Sequence, residues 1–230
     1  MILKKWLDLL SYCDLFTLVI IFLIENLSLL LLAIFIGKLV DREATKIEKS
    51  DIKWVISTLL CNTLVTLVGY KLYEYQIIKI DFSTSFFTIV LDTLLLILLM
   101  DFFMFCFHFL AHKLTWFYPI HQLHHTHVDT NVYSLFVLNP IETLGFGAIW
   151  LITISVIEFN CISIILYLIL NLSYGILGHL NKDIFPNFWN RNVVTKWIST
   201  TQFHSNHHKN ESHNFGFYFT IWDKIFKTNI

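Results

Sequence analysis

The chain has 230 residues, 56% of them hydrophobic and only 14% charged, with a mean hydropathy of +0.63. Soluble domains carry about 25% charged residues, so a water-soluble globule is not the expected class. A net charge of −1 gives no electrostatic pull toward nucleic acid, and three prolines with seven glycines leave little chain for linkers, so one membrane domain over 1–230 is expected.

In chain order, the N-terminal stretch MILKKWLDLLSYCD has no short apolar core followed by a small-residue cleavage site, so the first long apolar run reads as a retained span. That run, at 15–37, is long enough for a bilayer, which needs ~20 mostly apolar residues, although Glu25 and Asn26 interrupt it. A weaker run covers 52–70, and a long one covers 82–107 with Asp92 and Asp101 inside it. The runs 141–159 and 161–178 are close enough to form a tight hairpin that need not cross fully. Such runs are helical in lipid, because each backbone polar group must be satisfied within its own segment. Glu25, Asn26 and Asp92 either line a cavity or bind a neighbouring helix. Cys13, Cys61, Cys106 and Cys161 are widely spaced without a CxxC and read as small buried hydrophobes.

The expected fold class is an all-α integral membrane protein with about four to five membrane-embedded helices and a cytosolic histidine-rich cap. Residues 1–107 supply the N-terminal spans, and 108–230 form a histidine-rich region that includes the 141–178 hairpin. The basic residues set the orientation. If the chain after residue 107 faces the cytosol, the loop 38–53 shares that side with its Lys38, Arg42, Lys46, Lys49 and Lys53. Twelve Lys and Arg then lie on the cytosolic side against four (Lys4, Lys5, Lys71 and Lys79), as the positive-inside rule predicts.

All eleven histidines lie between residues 108 and 213, and their spacing repeats. His108 and His112 in HFLAH are i and i+4, on one helical face. His121, His124 and His125 in HQLHH are i, i+3 and i+4, and His204, His207 and His208 in HSNHH repeat that pattern. His179 stands alone in GHLN, where a membrane-edge histidine is more often an interfacial or core hydrogen-bonding group. His127 and His213 fit no repeated spacing and read as bystanders. Imidazole suits iron, zinc, copper and nickel, and an i, i+3 or i, i+4 pair aims two nitrogens at one point. Eight or nine imidazoles are too many for one ion and suffice for two, with about four or five nitrogens each.

The order HxxxH, HxxHH, a further His and HxxHH, over roughly residues 95–228, resembles the fatty acid hydroxylase / sterol desaturase superfamily of membrane di-iron oxygenases. The last box is followed by NFG (Asn214, Phe215, Gly216) and WDKIFKT, containing Trp222, Asp223, Phe226 and Thr228, similar to that family's C-terminal signature. Asp101 stands seven residues before His108, at an acidic position of the family, and NPIE at 139–142 resembles the segment after the second box. Phe109 departs from the Arg common in the first box, and Asp183 stands where some members carry a second histidine beside His179.

The resemblance implies that His108, His112, His121, His124, His125, His179, His204, His207 and His208 hold two iron ions. With O2 as cosubstrate, these would hydroxylate or desaturate a C–H bond of a fatty acyl, sphingoid or sterol lipid. No GxGxxG and no haem- or flavin-binding stretch is present, so electrons would come from an external donor such as cytochrome b5 or a ferredoxin with its reductase. Asp101, two turns before His108, is the candidate for orienting an imidazole through its second nitrogen. Asn214 and Asp223 either brace the site or cap and turn the tail. Glu142 reads as a carboxylate placed to begin a helix. The implied membrane is a bacterial inner membrane or the endoplasmic reticulum. Two alternatives stand beside this reading: a membrane metal-binding or transport protein, whose ligands would lie along a path through the spans, and an inactive family member retained as a lipid-binding module.

Overall fold

The computed structural model describes residues 2–41, 46–186 and 188–230 and shows an all-α membrane protein. Arg42, counted above for orientation, lies outside the described residues. In chain order the elements are α1 (Ile2–Leu10), α2 (Leu15–Val40), α3 (Ile52–Glu74), β1 (Ile80–Asp81), α4 (Phe86–Lys113), α5 (Tyr118–His125), α6 (Pro140–Val156), β2 (Phe159–Asn160), α7 (Cys161–Gly178), α8 (Thr201–Lys209) and α9 (Ile221–Phe226). The apolar runs do not predict α1, a short helix with Trp6 and Leu9 exposed.

Among the described residues, four helices are long and apolar enough to cross a bilayer: α2, α3, α4 and α7. Their starts are set locally. Asp14 Oδ1 accepts from Thr17 N at 2.7 Å to open α2, and Ser85 Oγ accepts from Thr88 N at 3.4 Å to open α4. The 28 residues of α4 rise roughly 42 Å, more than the ~30 Å of hydrocarbon, so its last turns emerge carrying His108 and His112.

α6 has 17 residues and rises about 25 Å, yet its far end reaches the α3–α4 loop, because β2 pairs in parallel with β1. Asn160, fully buried, holds this junction. Its N donates to Asp92 Oδ2 (2.7 Å), and its Nδ2 donates to Asp81 Oδ2 (3.1 Å) and Ser83 O (2.8 Å). Its Oδ1 caps α7 by accepting from Ile162 N (2.9 Å). The hairpin therefore traverses the height of the bundle, and Asp92 binds its turn rather than a cavity.

The core runs along α4, where Leu96, Met100 and Met104 pack with Ile154, Phe159 and Tyr167. In lipid the surroundings are as apolar as the side chains, so close packing rather than exclusion of water holds such helices together. A Cβ at Gly147 would collide with Val65, which shows how closely α6 approaches α3. Asn26 Nδ2 reaches Thr66 Oγ1 at 3.2 Å and ties α2 to α3, whereas Glu25 faces outward. At the histidine end, Asn131 Nδ2 donates to Lys46 O (3.4 Å) and His127 Nε2 lies 3.0 Å from Asp51 Oδ2. The α2–α3 loop and the histidines thus share one end of the molecule.

Candidate metal centre

Four segments carry the boxes to one place. α4 presents His108 and His112 on successive turns. A tight turn, with Phe117 N donating to Leu114 O at 2.9 Å, reverses the chain into α5, which buries His121, His124 and His125. α7 ends at His179. Thr200 Oγ1 accepts from Phe203 N at 3.2 Å to start α8, which carries His204, His207 and His208.

The nine imidazoles meet in two groups. His108, His112, His121, His125 and His207 offer nitrogens within 4.8 Å of one another, and so do His124, His179, His204 and His208. Each HxxHH box is therefore split. The i, i+4 pair of α5 joins the five-histidine group while His124 joins the other, and α8 does the reverse. The cause is helical geometry: adjacent residues point about 100° apart, so the two histidines that close each box face different centres.

Ring orientation is held from outside the groups. His108 Nδ1 donates to Phe215 O (2.8 Å) and His207 Nδ1 to His213 O (2.6 Å). His121 Nδ1 donates to Glu142 Oε1 (2.6 Å), and His179 Nδ1 to Ser134 Oγ (2.8 Å), whose own hydrogen goes to Asn131 O (2.7 Å). Carbonyls can only accept, so in His108 and His207 Nδ1 carries the hydrogen and Nε2 keeps its lone pair, and the Ser134 hydroxyl, whose hydrogen is already given to Asn131 O, sets the same tautomer in His179. Nε2 atoms then face each other at 3.0 Å (His121 and His125), 3.3 Å (His179 and His204) and 3.1 Å (His204 and His208). Each of these contacts brings two ring nitrogens to one point, the arrangement that a shared cation would use. His112 Nε2 and His207 Nε2 are buried without a hydrogen-bond partner, a costly state that coordination relieves. The donor set thus fits two transition-metal ions. Burial also keeps the rings neutral and able to ligate. It lowers His124 to about 3 and holds His121, His125, His179, His204, His207 and His208 below the ordinary histidine range, with neighbouring imidazoles adding to the effect.

Asp101, expected to orient an imidazole, makes its hydrogen bonds to the tail instead. Its Oδ1 accepts from Tyr218 N (2.8 Å) and Phe219 N (3.2 Å), and its Oδ2 from Trp222 Nε1 (2.8 Å). Seven residues from His108 it shares the face of that ring but lies two turns deeper, where the tail packs. Asp223 binds Phe215 N (2.8 Å), Gly216 N (2.7 Å) and Thr228 Oγ1 (2.6 Å), so it braces the segment whose Phe215 carbonyl holds His108. Burial raises its carboxyl above the usual range, against the pull of those donors. Asn214 takes a left-handed conformation (φ 60°) and closes the tail by accepting from Ile230 N at 3.1 Å. A Cβ on Gly216 would stand 2.5 Å from Phe219 O, so NFG is a turn that requires its glycine. Asn214 and Asp223 therefore turn the tail and brace the site together, through main chain.

Three residues escape the histidine pattern. Glu142 does begin α6, but it is also buried against His121. Ser134 holds His179. Glu211, partly exposed, accepts from Tyr118 Oη (2.8 Å) and lies 3.8 and 3.9 Å from Nδ1 of His112 and His125. NPIE was the one sequence signal for Glu142; Ser134 and Glu211 have none. His127 pairs with Asp51, and His213 contributes its main-chain carbonyl.

Residues 93–228, more than half of the chain, match the family model described as fatty acid hydroxylase. Among curated proteins the chain is 27% identical to cholesterol 25-hydroxylase of Rattus norvegicus over 59% of this chain and 45% of that protein. It is 28% identical to cholesterol 25-hydroxylase-like protein of Danio rerio over 61% of this chain and 56% of that protein. To human cholesterol 25-hydroxylase it is 26% identical, over 57% of this chain and 48% of that protein. The chain thus spans about half the length of the relatives it matches. No solved structure matches it.

Proposed function

The chain belongs to the fatty acid hydroxylase family, within the fatty acid hydroxylase / sterol desaturase superfamily, and from that premise we propose that it is a membrane-bound non-haem di-iron oxygenase that uses O2 to hydroxylate or desaturate a C–H bond of a lipid. One observation carries the reading: nine neutral imidazoles converge in two groups at one end of an apolar bundle. The relatives named for cholesterol hydroxylation put a sterol beside fatty acyl and sphingoid chains among the substrate classes.

Each group would hold one iron, and the pair would supply the redox chemistry by which O2 attacks an unactivated C–H bond. The rest belongs to the chain. Nε2 atoms bind, while Phe215 O, His213 O, Glu142 and Ser134 keep the rings aimed. Burial excludes water, which protects a reactive oxidant. Phe217, 5.5 Å from the His108 ring, meets Phe146 of α6 edge-on, and Phe146 in turn packs on Phe107 of α4, so apolar aromatic side chains border the histidines on the side of the helices. Electrons would come from an external donor such as cytochrome b5 or a ferredoxin with its reductase. The distribution of Lys and Arg supports a cytosolic histidine end, in a bacterial inner membrane or the endoplasmic reticulum. A metal-transport role would need ligands spaced through the spans, and these gather at one end.

The test is iron per chain in detergent-purified protein from iron-supplemented cells, beside His124→Ala/His207→Ala, which removes one ligand from each group. Close to two irons that the variant loses is the expected result. O2-dependent change in the lipid profile of expressing cells would then identify the substrate. Wild-type protein with no bound metal overturns the reading.

A further inference from the structure

Neutral imidazoles bring no charge to offset two divalent ions, so the nearest buried anion matters. Among the described residues, one carboxylate is both buried and hydrogen-bonded to a ring of either group: Glu142, 1% exposed, with Oε1 2.6 Å from His121 Nδ1. Glu211 is partly exposed and beyond hydrogen-bond distance of His112 and His125, so water screens it. Asp101 and Asp223 are occupied by main-chain, indole and hydroxyl donors. On the four-histidine side, His179 Nδ1 meets the neutral hydroxyl of Ser134. The second oxygen of Glu142, Oε2, has no hydrogen-bond partner, so His121 Nδ1 is the one side-chain contact made by this carboxyl group among the described residues.

We propose that Glu142 is a positioning residue whose charge, acting through His121, makes the five-histidine group the tighter metal position and leaves the four-histidine group exchangeable. The inference rests on the two-metal reading above. A carboxylate on Nδ1–H makes the imidazole a more basic donor and locks its ring, and such partners are typically worth 10–100-fold in metal affinity. The groups also differ in donor number, five against four, in the same direction.

The test follows metal release to a chelator from the iron-loaded whole chain in detergent. Wild-type protein should release in two phases, the fast one abolished by His204→Ala and the slow one by His112→Ala. Glu142→Gln keeps the shape and an acceptor for Nδ1–H but removes the charge. Its slow phase should accelerate roughly 10–100-fold with the fast phase unchanged. A purely structural glutamate predicts a Gln variant indistinguishable from wild type, which overturns the proposal, as does equal acceleration of both phases or of the fast phase alone. Two ions leaving in a single phase overturn the inequivalence while the two-metal reading stands. Absence of metal from wild-type protein brings down that reading itself.

Discussion

At the residue scale, the histidines are legible in the sequence because a helix can aim two rings at one point only from i, i+3 or i+4. Which centre each ring serves is not legible, since the roughly 100° between neighbours sends His124 and His125 to different groups, and the other helices decide where those groups lie. Asp101 shows the same limit. A carboxylate inside a span marks it as important, but the partner, Tyr218, is 117 positions away. Asp101→Ala strands two main-chain N–H groups, that of Tyr218 buried and that of Phe219 partly buried, and one indole N–H. At about 1 kcal/mol or more each, the loss should be about 3 kcal/mol, read as a lower thermal midpoint in detergent. Asp101→Asn keeps one acceptor oxygen and should lose less. Equal midpoints for wild type and the alanine variant would show that the tail is held without this carboxylate.

At the element scale, the spans follow from composition, because ~20 apolar residues must become helix in lipid. The depth of the α6–α7 hairpin does not follow, since 17 residues are marginal by length and the decision falls to Asn160, which joins the turn to Asp81, Ser83 and Asp92. Asn160→Ala removes the cap of α7, worth about 0.5–2 kcal/mol by itself, and the side-chain bonds to Asp81 and Ser83, while the main-chain bond to Asp92 stays. Stability should fall by about 2 kcal/mol with metal content unchanged, because the junction lies at the far end of the bundle from the histidines. Loss of metal alongside stability would show that the hairpin transmits strain to His179.

At the scale of the whole molecule, the contact of Asn131 with Lys46 and of His127 with Asp51 places the α2–α3 loop beside the histidines, while β1 and β2 mark the opposite end. That sidedness is testable in sealed vesicles, using variants freed of Cys13, Cys61, Cys106 and Cys161. Single cysteines replacing Lys49 and Lys209, both exposed, should react with a membrane-impermeant maleimide from the same side, and one replacing Lys79 from the other. If the cap is cytosolic, vesicles with the native outer face outward label only the Lys79→Cys variant. Labelling of all three from one side would contradict the arrangement of the spans.

What the sequence by itself determined are the properties that short stretches carry: the membrane class, the apolar runs, the eight regularly spaced histidines and the NFG and WDKIFKT tail. Length, composition and helical periodicity act within a few turns of chain. Only the tertiary structure decided the division into groups of five and four, the attachment of Asp101 to the tail, the reach of the hairpin and the meeting of Glu142 with His121, 21 positions earlier. Each of these depends on a distance between separate helices, which is set by how their side chains pack and which no local pattern encodes.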